Sequence, residues 1–101
     1  MIITTTEDGN ELNIALKGRL DTTTAPELED EIAKYTLDGK QLTLDITKLD
    51  YMSSAGLRVL LATYKTLTKK NGQMVILNPC ETIMEVFKAT GFTDIFTIKE
   101  M

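Results

Sequence analysis

Between residues 41 and 78 the hydrophobic pattern changes period twice, and those changes limit the possible folds more than any other feature. "QLTLDI" (41–46) alternates Leu42, Leu44 and Ile46, the two-residue period of a half-buried strand. After the turn-rich "TKLDYMSS", the apolar residues Leu57, Leu60, Leu61, Tyr64 and Leu67 fall at i, i+3, i+4, i+7 and i+10, which is the stripe of an amphipathic helix. "KKNG" ends that helix, with basic residues in the last turn and Gly72 expected in the left-handed conformation that closes helices. "QMVILN" (73–78) is continuously apolar, as expected of an interior strand covered on both faces. A strand, a helix and a strand in close succession form a crossover unit, which sets the two strands parallel with a right-handed connection.

The flanking segments extend the same scheme. "IITTTEDGNELNIALKG" reads as two strands around a turn at Asp8-Gly9-Asn10, so a β-hairpin opens the fold. In "TAPELEDEIAKY" Thr24 stands three residues before Glu27, the capping-box spacing, and Leu28, Ile32 and Tyr35 share a helical face. "NPCETIMEVFKATG" gives a third helix with Asn78 as N-cap, Pro79 behind it, Glu81 three residues on and Gly91 at its end. The last stretch, "FTDIFTIKEM", fits a short edge strand or a final helical turn. The expected order is β-β-α-β-α-β-α, an α/β fold with a mixed sheet of four to five strands and three or four helices. Strands two, three and four should run parallel, so the loops "GRLDTTT", "TKLDYMSSAG" and "NPCE" should meet at one edge.

Composition removes several classes of function. The 101 residues fit a single domain, 1–101, with the 43% apolar and 26% charged fractions of an ordinary globular protein. The start "MIITTTEDGN" has no basic n-region, and no apolar run is long enough to span a bilayer, so a cytoplasmic protein without membrane contact is expected. Absence of histidine removes Ser-His-Asp and Cys-His catalysis, and a lone Cys80 leaves no cluster for zinc. Cys80 reads best as a small core-packing residue. A net charge of −4 opposes direct nucleic-acid binding, and "KTLTKK" (65–70) is explained by the dipole at a helix C-terminus. No enzyme, metal or cofactor is expected.

What remains is "MSSAG" at the start of the second helix. A serine there can cap the helix, and Ser53 alone suffices for that. A second serine, Ser54, followed by the small residues Ala55 and Gly56, allows close approach by a partner, and a helix N-terminus can hold an added phosphate. A nucleophile is disfavoured, because the first glycine of the G-x-S-x-G elbow is missing. Neither G-x-x-x-x-G-K-[ST] nor G-x-G-x-x-G is present to cradle a nucleotide phosphate. Asp21 and Asp50 should make the edge acidic, Asp45 should order the loop after the third strand, and Arg58 should lie on the solvent side of the helix.

"GRLDTTTAPEL" (18–28), "LTLDITKLDYMSSAGLRVLLATYKTL" (42–67) and "GQMVILNPCETIMEVFKATGF" (72–92) together resemble the successive blocks of the STAS domain, specifically the bacterial anti-sigma-factor antagonist family. The resemblance implies a STAS fold and a monomeric switch rather than an enzyme. Its unphosphorylated form would bind an anti-sigma factor that is also a serine kinase, phosphorylation would abolish that binding, and a PP2C-type phosphatase would restore it. The family pattern Asp-Ser-Ser-Gly-Leu, anchored on Gly56-Leu57, implies Ser54 as acceptor, with Ser53 second and standing where the Asp usually does. It also implies a partner-binding surface of Asp21, Thr22, Ser53, Ser54, Ala55, Gly56 and Arg58. The competing readings are a STAS domain that binds a small ligand or nucleotide, and a scaffold that does not switch.

Overall fold

The computed structural model describes residues 1–101. In chain order it contains β1 (Ile2–Asp8), β2 (Glu11–Leu20), α1 (Ala25–Ile32), β3 (Gln41–Met52), α2 (Ser54–Lys69), β4 (Gln73–Leu77), α3 (Glu81–Thr90) and β5 (Thr97–Lys99). The final stretch holds both expected alternatives, a 3-10 turn over Phe92–Asp94 and then the short strand β5. The five strands lie in the order β1-β2-β3-β4-β5, with β1 antiparallel to β2 and every other pair parallel. This is the mixed α/β sheet that the sequence predicts.

Because each parallel strand is laid beside its predecessor in the same direction, right-handed crossovers carry α1, α2 and α3 to one face of the sheet. One core joins Leu28 of α1, Leu60 of α2 and Phe87 of α3 to Leu12, Ile14, Leu44 and Ile76 of the sheet. Glu11, Asn13, Lys17, Gln41 and Gln73 of the opposite face are exposed. The expectation that β4 is covered on both faces is therefore corrected. Val75 is 8% exposed yet outside that core, shielded by its register neighbours Thr43 and Thr97 on an open face.

A second correction concerns "TKLDYM", which reads as turn in the sequence but continues β3. Asp45 pairs with Ala15 and Lys48 with Lys17; Leu49 pairs with Gly18 and Tyr51 with Arg19. β3 thus carries one extra residue at each of two bulges. Each bulge shifts the two-residue phase by one, so the buried residues run Leu42, Leu44, Ile46, Leu49, Met52. Without the first shift Leu49 would face solvent, and the second returns Met52 to the core side. Asp45 therefore lies inside β3 and orders its first bulge in place of a following loop, its Oδ1 accepting the Thr47 N–H at 3.0 Å and the Thr47 hydroxyl at 2.5 Å.

Two helix ends also differ from expectation. Asn71 (φ 60°), not Gly72, takes the left-handed position after α2, and the Gly72 N–H donates to Leu67 O at 2.7 Å. Gly72 is needed for another reason: a Cβ there would lie 2.7 Å from both Lys40 O and Leu67 Cδ2. Asn78 does not cap α3, whose N-cap is Cys80. At φ 57°, Asn78 instead donates its side-chain amide to Thr47 Oγ1 at 3.0 Å and accepts the Met101 N–H at 2.8 Å. Gly91 closes α3 in the left-handed conformation, as predicted.

Since backbone cannot retreat as a side chain can, Gly72→Ala should destabilise the fold by about 1–3 kcal/mol, read as a lower urea midpoint. Asn71→Gly, which only eases a left-handed residue, should stay within about 0.5 kcal/mol of the parent.

Candidate functional site

The carboxyl ends of β2 and β3 and the first turn of α2 form one edge of the molecule. The Ser53 N–H donates to Leu20 O at 2.9 Å, tying the start of α2 to the last residue of β2. Gly56 makes that closeness possible. A Cβ on it would stand 2.8 Å from Leu20 Cγ and 3.1 Å from Met52 Cγ, so its bare Cα faces the core and lets the helix seat directly on Leu20. Sequence reasoning assigns Gly56 to partner access; the structure gives it this inward task.

The two serines are distinct. Ser53 is the N-cap, with φ −90° and ψ 174°, and its hydroxyl accepts the Gly56 N–H at 3.5 Å, a long but conventional cap. Ser54 is the first residue of α2, exposed, and its hydroxyl makes no side-chain hydrogen bond within the chain. Ala55 is partly buried against the core, and Arg58, one turn on, is exposed as predicted.

Asp21 organises the other half of the edge. Its Oδ1 accepts the N–H groups of Thr23 at 3.0 Å and Thr24 at 3.1 Å, while its carbonyl accepts the Ala25 N–H at 2.8 Å. The capping-box reading of Thr24 is corrected accordingly. Thr24 is already helical (φ −95°, ψ −19°), and its hydroxyl turns back to the strand, accepting the Asp21 N–H at 2.8 Å and donating to Arg19 O at 2.7 Å. The Asp21 carboxyl is held below its ordinary value of 3.8, first by the Thr24 N–H against partial desolvation, then by the Thr23 N–H, the Thr24 hydroxyl and Arg19. Thr22 is exposed at the apex of this turn.

Sequence reasoning missed Arg19 and Tyr51. The second bulge places them opposite each other, with the Arg19 guanidinium 4.3 Å from the Tyr51 ring centroid and its Nε 3.8 Å from Asp21 Oδ2. Tyr51 remains 37% exposed. The edge is therefore not simply acidic: Arg19 and Arg58 stand against Asp21 and Asp50. An aromatic residue two positions before the serines was the available signal, but its partner depends on a bulge that leaves no mark in the residue pattern. Cys80 lies at the adjoining β4–α3 connection and is partly buried against the core.

No helix is long and apolar enough to cross a membrane. The family model of the STAS domain matches residues 2–101. The chain is 30% identical over 95 residues to the anti-sigma-B factor antagonist of Listeria monocytogenes, covering 93% of this chain and 83% of that protein. It is 31% identical over 100 residues to the anti-sigma-B factor antagonist of Staphylococcus aureus, covering 98% and 92%. The crystal structure of an anti-sigma factor antagonist from Mycobacterium paratuberculosis superposes with a TM-score of 0.84 at 24% identity, covering 96% and 83%, which shows the shared fold.

A carboxylate whose folded pKa is depressed stabilises the fold above its unfolded value and loses that contribution as pH falls through the folded one. Asp21→Asn should therefore flatten the part of the acid-unfolding curve below about pH 3.8, followed by circular dichroism, while leaving secondary structure at neutral pH unchanged.

Proposed function

This chain belongs to the STAS domain family, and we propose that it is an anti-sigma factor antagonist: a binding protein, not an enzyme, that switches partners when Ser54 is phosphorylated. Its relatives bear that name over nearly their whole length. In the unmodified form it binds an anti-sigma factor that is also a serine kinase, and a sigma factor is released. A PP2C-type phosphatase reverses the modification. The working unit is one domain, residues 1–101, acting as a monomer in the cytoplasm.

The observation that carries this reading is the division of labour between the serines. Ser53 satisfies the helix end, so Ser54 is left exposed with an uncommitted hydroxyl. The docking surface consists of Asp21, Thr22, Ser53, Ser54, Ala55 and Arg58, with Gly56 setting how closely the helix sits on β2. Phosphate on Ser54 adds about −1.5 to −2 of charge at the first residue of a helix, where free N–H groups hold it without refolding. Against a close-packed partner that charge must lose its water, and a penalty of about 3 kcal/mol weakens binding by more than a hundredfold.

Incubation with the cognate kinase and ATP, followed by mass spectrometry, should find phosphate on Ser54, and Ser54→Ala should abolish it while retaining partner binding. Ser53→Ala should still be modified, with a loss of about 1 kcal/mol in stability from the missing cap. Ser54→Asp should bind the anti-sigma factor more weakly than the parent. Both serines left unmodified would sink the proposal, and Ser54→Asp binding as well as the parent would make the chain a scaffold that does not switch.

A further inference from the structure

We infer that the helix-free face of the sheet carries a second site, a cleft for a phosphate dianion gripped between Lys17 and Lys48. The cleft has a volume of about 290 Å³ and lies on β1, β2 and β3, with Thr4, Asp45 and Thr47 also on its walls and Ala15 as its floor. The register places these residues together: Thr4 pairs with Ala15 and Ala15 with Asp45, and in the next row of that face Lys17 pairs with Lys48. A larger residue at 15 would fill the space.

The first bulge of β3 is what brings the lysines side by side. In uninterrupted register Lys17 would stand opposite Thr47, and Lys48 would point to the core face. The extra residue carries Lys48 onto the open face beside Lys17. Like charges directly opposite each other destabilise a sheet, and neither lysine is in an ion pair, unlike Lys34, Lys40 and Lys70. The one acidic wall residue, Asp45, directs Oδ1 to the N–H and hydroxyl of Thr47, and the Thr47 hydroxyl is further engaged by Asn78. Two ammonium groups and the Thr4 hydroxyl are left to meet a ligand, and with the Asp45 carboxylate still charged on the wall the cleft carries a net charge of +1 on a chain whose net charge is −4. A compact dianion matches them: each ammonium donates to a phosphate oxygen, and the ligand cancels the repulsion that the fold otherwise retains. The cleft suits a small head, such as free phosphate, a sugar phosphate or a lipid headgroup, better than a whole dinucleotide. This site is independent of the serine edge.

The test is a nitrogen-15 correlation NMR titration of the whole chain with inorganic phosphate, with ribose 5-phosphate, and with phosphatidylcholine vesicles containing phosphatidylglycerol, each against sodium chloride of equal ionic strength. The expected result is a saturable shift centred on the amides of 15–17 and 45–48 with at least one probe, weakened about tenfold in Lys17→Gln and in Lys48→Gln. The arm that saturates at the lowest concentration identifies the source of the phosphate. Both variants should unfold at the same or a higher temperature than the parent, because each removes a like-charge pair. No saturable shift with any probe, shifts equalled by chloride, shifts unchanged in both variants, or a lower unfolding temperature in both would overturn the site.

Discussion

The seating of α2 on the end of β2 is the contact from which the rest of the edge takes its position. It requires a residue without a side chain at 56, a fully buried Leu20 beneath it, and the Ser53 N–H on the Leu20 carbonyl. It also requires Met52 on the core side: the second bulge of β3 restores the phase that the first one shifts, so losing either bulge alone would turn Met52 outward. A bulge that looks like a defect of the sheet is therefore a condition for the helix start: shift β3 back by one residue and both the packing under Gly56 and the direction of Ser54 change together.

Much of this architecture is legible in the residues. The alternation of Leu42, Leu44 and Ile46, the stripe from Leu57 to Leu67 and the turn at Asp8-Gly9-Asn10 each follow from a local period, and local periods survive folding. What could not be read were choices between equivalent partners. Thr24 and Asn78 are good caps in isolation, yet in the fold their side chains find Arg19 O, the Asp21 N–H, Thr47 and Met101, which lie beyond the reach of a local spacing rule. The run "TKLDYM" resembles a turn because two bulges break its alternation. The apolar run of β4 is the same whether a second layer covers it or flanking strands shield Val75.

The site divides along the same line. Ser53 and Ser54 are visible because hydroxyls, small residues and a helix start are adjacent in sequence, and the family resemblance then selects between them. Arg19 and Tyr51 are distant in sequence and joined only by register. Their stacking gives the edge a positive and aromatic component beside Asp21, so charge complementarity to a partner is mixed rather than one-signed.

The exposed first residue of α2 has one more consequence. Its side chain contributes nothing to the packing or to the cap, and an anion at that position lies with the helix dipole, so a modified molecule is at least as firmly folded as an unmodified one. Cellular quality control, which removes unfolded chains, would have no basis for telling the two forms apart. Under the proposed switch at Ser54, the total amount of the protein and the fraction of it that is active would be separate variables, and each round of modification and reversal would draw on the same molecules without new synthesis.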